Sequence, residues 1–266
     1  MLTKFTALAM GVLLSVSAMA ADMATADMAT LTRQAQSGDA AAQFDLAYEY
    51  YQQGNHAKAF EWFTKAAHQG DAQAQYNLGV MYAQGLGVRQ DYHKAFEWFT
   101  KAAKQGYADA QFNLALMYAQ GDGVRQDYHK AFEWFTKAAN QGLAEAQFSL
   151  GVMYDEGQGV RQDYYKAVEW YTKAAHQGDA AAQSNLGAMY YNGHGVRQDY
   201  QKAIEWYTKA AHQGHAAAQS NLGAMYYNGH GVRQNKSTAK RYYGQACDNG
   251  NQPGCDNYRI LNEQGY

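Results

Sequence analysis

The sequence predicts an all-α fold, a solenoid of stacked helix pairs, and three observations carry that prediction. Trp62, Trp98, Trp134, Trp170 and Trp206 stand 36 residues apart. Two passages recur word for word at the same step: GVRQDYHKAFEWFTKAA from Gly87 and from Gly123, and QSNLGAMYYNGHGVRQ from Gln183 and from Gln219. Within each period, apolar residues fall at helical spacing between capping residues. A fixed period between about 20 and 50 residues marks an architecture in which each unit buries its face on its neighbours. The single proline among 266 residues agrees, since proline breaks helix interiors.

Residues 1–20 read as a signal peptide. Lys4 supplies the positive start, FTALAMGVLLSV the apolar centre, and Ala18 and Ala20 an A-x-A cut, with cleavage expected after Ala20. The apolar run is shorter than the ~20 residues a membrane-spanning helix needs. No other stretch reaches that length, so no membrane span is expected, and the chain is expected in the periplasm or outside the cell. Residues 21–38 should hold a polar segment and a capping helix beginning near Leu31. Residues 39–250 carry the array, and 251–266 a C-terminal capping helix.

One period shows how a pair forms. Asp71 caps a first helix, A, whose stripe is Ala74, Leu78, Met81 and Tyr82 and whose stop is Gly85. A glycine-punctuated loop leads to Asp91, the cap of helix B, which buries Ala95, Trp98, Phe99, Ala102 and Ala103 and stops at Gly106. Glu97 and Lys101 stand i,i+4 on the wet side, positioned to pair. Gly79 inside helix A costs up to about 1 kcal/mol against Ala, so close helix approach is its reason, and two units carry Ala47 and Ala115 there instead. Trp98 is expected to fill the space these small residues leave. Counting along the chain gives six A–B pairs between two capping half-repeats. The first pair has a tight turn, and the last has Tyr242 in place of Trp.

Cys247 and Cys255 are the only cysteines, eight apart at the C-terminal end. In an exported chain they should pair. The nine-residue loop so closed would stabilise that end by roughly 2.6 kcal/mol. A reactive thiol pair is the alternative, and C-x-x-C spacing is absent.

Little else suggests chemistry. A net charge of -2 leaves no basic footprint, so nucleic acid is not an expected partner. His212 and His215 flank Gly214, and His194 and His230 occupy equivalent loop positions, but a metal needs three or four converging ligands. The histidines are read as structural, with no metal or cofactor. Gly85 and Gly87 follow a helix rather than a strand and lack a G-K-[ST] continuation, so they do not cradle phosphate. Arg89, Arg125, Arg161, Arg197 and Arg233 form a ladder, read either as an anion-binding rail or, preferably, as loop side chains bonding nearby carbonyls and carboxylates.

The stretch Ala74 to Gly106 has the pattern A-x-x-x-L-G-x-x-Y-x-x-G-x-G-V-x-x-D-x-x-x-A-x-x-W-x-x-x-A-A-x-x-G, and in this it resembles the Sel1-like repeats, relatives of the tetratricopeptide repeat. The C-x7-C spacing is similar to that of the cysteine-rich secreted branch, though here it occurs once. The resemblance implies a right-handed α-solenoid whose concave side is lined by helix A, and a role as an adaptor for protein complexes.

Differences between units then nominate contact residues on that concave wall: Asn77, Asn113, Asn185 and Asn221, with the paired Tyr190, Tyr191, Tyr226 and Tyr227. Tyrosine supplies large contact area at low entropic cost, and Asn adaptable hydrogen bonds. The expected function is an exported scaffold gripping a protein or peptide, such as an exported effector, an envelope protein or a host protein. No enzymatic activity is expected. The alternative, implied by the cysteine-rich branch, is penicillin binding or weak β-lactam hydrolysis; that chemistry needs an activated nucleophile, and the motif reading finds none.

Overall fold

A computed structural model describes residues 28–266, which form fourteen α-helices and no strand. The signal peptide and its cut lie outside the described residues. The chain comprises two compact units, with the boundary between Gln141 and Gly142. The first holds α1 (Met28–Gln36), α2 (Ala40–Gln52), α3 (His56–His68), α4 (Ala72–Gln84), α5 (Tyr92–Lys104), α6 (Ala108–Gln120) and α7 (Tyr128–Asn140). The second holds α8 (Ala144–Glu156), α9 (Tyr164–His176), α10 (Ala180–Asn192), α11 (Tyr200–His212), α12 (Ala216–Asn228), α13 (Lys236–Asp248) and α14 (Gln252–Glu263). The six A–B pairs run from α2–α3 to α12–α13, with α1 and α14 as single flanking helices.

The helix limits follow from their caps. Asp71 accepts from the Ala74 amide at 2.6 Å, and Asp91 from the Lys94 amide at 3.1 Å. Each such side chain satisfies one amide that the first helical turn leaves unpaired. Gly85 ends α4 at φ 72°, a left-handed conformation that costs glycine no Cβ clash. Between the helices, Gln90 Nε2 donates to the Ala83 carbonyl at 2.7 Å and ties the loop back onto the end of α4. The first pair lacks this loop, and Asn55 caps α3 three residues after α2 ends.

The small residue of helix A meets a ring of helix B, but the ring is not the tryptophan. A Cβ added to Gly79 would lie 2.7 Å from Cδ1 of Phe99, and added Cβ atoms at Gly187 and Gly223 would fall equally close to Tyr207 and Tyr243. The expectation for Trp98 is therefore corrected. Successive helical residues are about 100° apart, so when Phe99 faces its own helix A, Trp98 faces sideways, edge-on to His68 of the preceding repeat at 5.3 Å. Trp206 meets His176 in the same way. Lysine amines cover the outer faces of the indoles: Lys65, Lys101, Lys137, Lys173 and Lys209 stand 3.7–4.1 Å from the five Trp rings. Lys101 makes no pair with Glu97, whereas Lys65–Glu61 and Lys173–Glu169 close at 2.8 and 2.9 Å. Exposed pairs of this kind contribute little, and the indole competes for the amine.

A relay of buried glutamines binds one repeat to the next. Gln75 is 6% exposed; its Nε2 donates to the Ala67 carbonyl at the end of α3, and its Oε1 accepts from Gln105 Nε2 at 2.9 Å. Gln105 also donates to the Gly70 carbonyl. The pattern recurs in the second unit at Gln147–Gln177 and Gln183–Gln213, and ends at Gln219–Asn249. Helix carbonyls left open at each B-to-A turn thereby gain donors without water. Just beyond, Cys247 and Cys255 are bonded, joining the last turn of α13 to α14 with their Cα atoms 4.5 Å apart.

Candidate partner-binding surface

One face of helix A differs sharply between the units. In α4 that face carries Tyr76, Val80 and Ala83, all buried, so the helix is enclosed nearly all round. The equivalent residues of α10 are Ser184, Ala188 and Tyr191, and of α12 Ser220, Ala224 and Tyr227. Only Ser184 among these six is buried. Both α4 and α10 have helix pairs of their own unit before and after them, so the contrast lies in side-chain volume. Serine and alanine do not fill the face, and a tyrosine is left standing beside them.

Tyr191 is held in place by the following repeat. Its hydroxyl lies 2.9 Å from His230 Nδ1, and its ring tilts against Tyr200, which stacks on His230 at 5.1 Å. The Tyr227 ring is approached by Lys236 at 5.6 Å. Tyr190 and Tyr226 point elsewhere. Tyr190 packs into the core between α9 and α11 beneath the Lys202 amine, and Tyr226 stacks on Tyr242 at 5.6 Å. Of the four nominated tyrosines, Tyr191 and Tyr227 share the open face, and Tyr190 and Tyr226 belong to the seam between helices.

Asn77 and Asn113 are turned inward, which corrects the reading that placed them on a partner-facing wall, whereas Asn185 and Asn221 are half-buried. Asn77 and Asn113 are 6% and 2% exposed. Asn113 Nδ2 donates to the Tyr76 hydroxyl at 3.4 Å, while Asn185 and Asn221 lie near the hydroxyls of Tyr171 and Tyr207 and partly offset the effect of burial on them. Burial pushes all three phenols above their ordinary range, so they stay neutral and need polar partners that sequence periodicity does not identify. Tyr171 also donates to Asp155 at 3.2 Å, and burial raises the Asp155 carboxyl above its ordinary value, partly offset by that hydrogen bond and by His194.

Two of the loop and turn histidines make local contacts. His194 stacks on Tyr164 at 4.7 Å, and His215 caps α12 through Nδ1 to the Ala218 amide at 3.3 Å. Among the described residues, no three His, Cys, Asp or Glu side chains converge on a metal-sized point, and no helix is long and apolar enough to cross a membrane. One S-x-x-K sequence does occur, Ser237 to Lys240, contrary to the expectation of no such nucleophile motif. Its lysine donates to the Tyr266 carbonyl and lies against the Tyr258 ring, and its serine is exposed on the first turn of α13.

This architecture and its repeated contacts define an α-helical repeat scaffold. The Sel1 repeat profile matches residues 40–71, 72–107, 108–143, 144–179, 180–215 and 216–251, and the chain belongs to that family. Among solved structures it is similar to c5321, described as a protective antigen present in uropathogenic Escherichia coli strains and displaying an SLR fold, with 40% identity and a TM-score of 0.85 over 90% of this chain. The chain spans 52% of the length of c5321. A Sel1 repeat protein from Oxalobacter formigenes matches with 32% identity and a TM-score of 0.79, over 84% of this chain and 90% of that one. YrrB, described as a TPR protein with an unusual peptide-binding site, shares the fold at 21% identity and a TM-score of 0.50, over 74% of this chain and 99% of that one. No match is found among curated proteins.

Proposed function

We propose that this chain is an exported scaffold that binds a protein or peptide segment along the open helix-A face of its second unit, with Tyr191 and Tyr227 as its aromatic anchors. The observation that carries this reading is the replacement of a filled face by Ser184, Ala188, Ser220 and Ala224 beside two half-buried tyrosines. Such a surface offers recesses for a partner's side chains next to rings that bury large area for the loss of few rotamers. Export is supported by the features of residues 1–20 and by the Cys247–Cys255 bond, which persists in oxidising compartments. The description of c5321 as an antigen agrees with exposure to a host.

The test is recovery of a partner from envelope extract by the wild-type chain and by Tyr191→Ala combined with Tyr227→Ala. Loss of two central anchors should weaken a specific partner on the order of a hundredfold. Tyr191→Phe keeps the ring, gives up only the His230 contact and should retain most binding. A partner captured equally by wild type and the double alanine variant rejects this face.

A further inference from the structure

The loops joining helix A to helix B form a second surface, distinct from the helix-A face. The sequence preferred to see their arginines bonded to neighbouring carbonyls and carboxylates. Instead, Arg161 and Arg197 are exposed and make no hydrogen bond or ion pair with the described residues. Each opens on a cleft: one of about 620 Å³ whose walls include Tyr154, Arg161, Lys166 and His194, and one of about 470 Å³ between Tyr190, Arg197 and Lys202.

Other polar groups in these clefts are already engaged. Gln162 and Gln198 donate to the Asp155 and Tyr191 carbonyls at 2.6 and 2.9 Å. Asp163 and Asp199 accept from the amides of Lys166 and Lys202 as helix caps. The amines of Lys166 and Lys202 lie over the Tyr154 and Tyr190 rings at 5.2 and 5.1 Å, and Lys166 also pairs with Asp163 at 4.0 Å, which leaves the guanidinium as the unpaired cation of that cleft. An unpaired guanidinium presents a planar fork of donors that matches a carboxylate in bidentate fashion.

We infer that the loop edge of the second unit binds an acidic peptide segment whose carboxylates recur every third residue, one to each arginine. The spacing follows from the stacking. His194 of one loop stacks on Tyr164 of the preceding repeat, and Gly195 packs against the Tyr164 carbonyl, so the two clefts adjoin. The A helices of the two repeats touch, so the step is about 10 Å, the upper end of helix-packing distances. A polyproline-type strand rises ~3.1 Å per residue with three residues per turn, which returns the same face every ~9 Å. The capping carboxylates Asp163 and Asp199 remain in the clefts, which favours spaced carboxylates over the continuous phosphates of nucleic acid.

The experiment is fluorescence anisotropy of the full chain with a labelled peptide of Glu-Pro-Pro triplets, beside a Gln-Pro-Pro peptide, a peptide with Glu at every fourth residue, and a single-stranded oligonucleotide. Saturable, salt-sensitive binding of the Glu-Pro-Pro peptide is expected. It should weaken on the order of a hundredfold in Arg161→Glu plus Arg197→Glu and stay unchanged in the Tyr191→Ala, Tyr227→Ala protein. Equal binding of the glutamine peptide or of the four-residue spacing, indifference to the charge reversals, or tighter binding of the oligonucleotide would each overturn the proposal. Denaturant midpoints of the variants, expected to match wild type because both arginines are exposed, confirm that any loss is local.

Discussion

Gly79 and Phe99 occupy one space: a Cβ on residue 79 would lie 2.7 Å from Cδ1 of the ring, and one on Gly151 would come closer still to Tyr171. The two sites differ in how freely the ring can yield. Phe99 has no polar tether, whereas Tyr171 donates to Asp155. Gly→Ala inside a helix gains up to about 1 kcal/mol of propensity, and overpacking costs typically ~1–3 kcal/mol. Gly151→Ala should therefore destabilise by about 1–2 kcal/mol in urea unfolding, and Gly79→Ala by less. Equal effects at the two sites would show that the hydroxyl tether does not restrain the ring.

The glutamine relay predicts coupling across a repeat junction. Gln75→Leu leaves the Ala67 carbonyl without its buried donor and should cost roughly 1–3 kcal/mol. Gln105→Ala, at the more exposed end, should cost less. A double-mutant cycle on Gln75 and Gln105 should give an interaction energy of about 0.5–1.5 kcal/mol. Strict additivity would mean that the 2.9 Å contact contributes nothing beyond solvent.

A histidine cap makes one junction pH-sensitive. His215 caps α12 by accepting at Nδ1, so it must be unprotonated there, and burial lowers its pKa from the ordinary 6.5 against the opposing pull of Asp179. With the folded value below the unfolded one, the cap's contribution is full above about pH 6.5 and is lost as pH falls through the folded value. His215→Asn keeps a capping acceptor that does not titrate. Thermal unfolding of wild type should lose stability below pH 6.5 relative to this variant, with the two converging in behaviour above pH 7. Parallel profiles down to pH 5 would exclude the histidine as the source.

The disulfide should protect one end of the array. In the unit that the disulfide closes, Tyr242 stands where the other units carry Trp, so its local packing is weaker and it opens first. Cys255→Ser, or reduction of the wild type, should raise amide exchange from about Lys236 onward and leave the helices before α12 protected. A uniform rise along the chain would indicate a single cooperative unit in place of a locally clamped end.

Much of the architecture was legible because a repeat states its own boundaries. The 36-residue step of the five tryptophans, the caps Asp71 and Asp91 and the stop at Gly85 determine by themselves that helix pairs form and where they begin and end. Those are local properties, set by side chains within a turn or two of the backbone they cap. The number of pairs follows from the same period, and the need for a small residue at Gly79 from its cost in a helix.

What only the tertiary structure decided was which way each side chain meets the next repeat. Trp98 and Phe99 are adjacent in sequence and equally apolar, yet Phe99 faces its own helix A and Trp98 the preceding repeat. Asn113 reads as part of a polar wall until the buried hydroxyl of Tyr76 turns out to accept from its amide. Lys101 lies on an indole and leaves Glu97 unpaired, and Arg161 and Arg197 stand free where bonded loop residues were expected. Except for Lys101, whose indole lies on its own helix, these outcomes depend on groups about one period away in sequence or on the orientation of a neighbouring helix. A pattern repeated along a chain records which positions are equivalent; which of them touch is settled only when successive units pack and bury their polar atoms together.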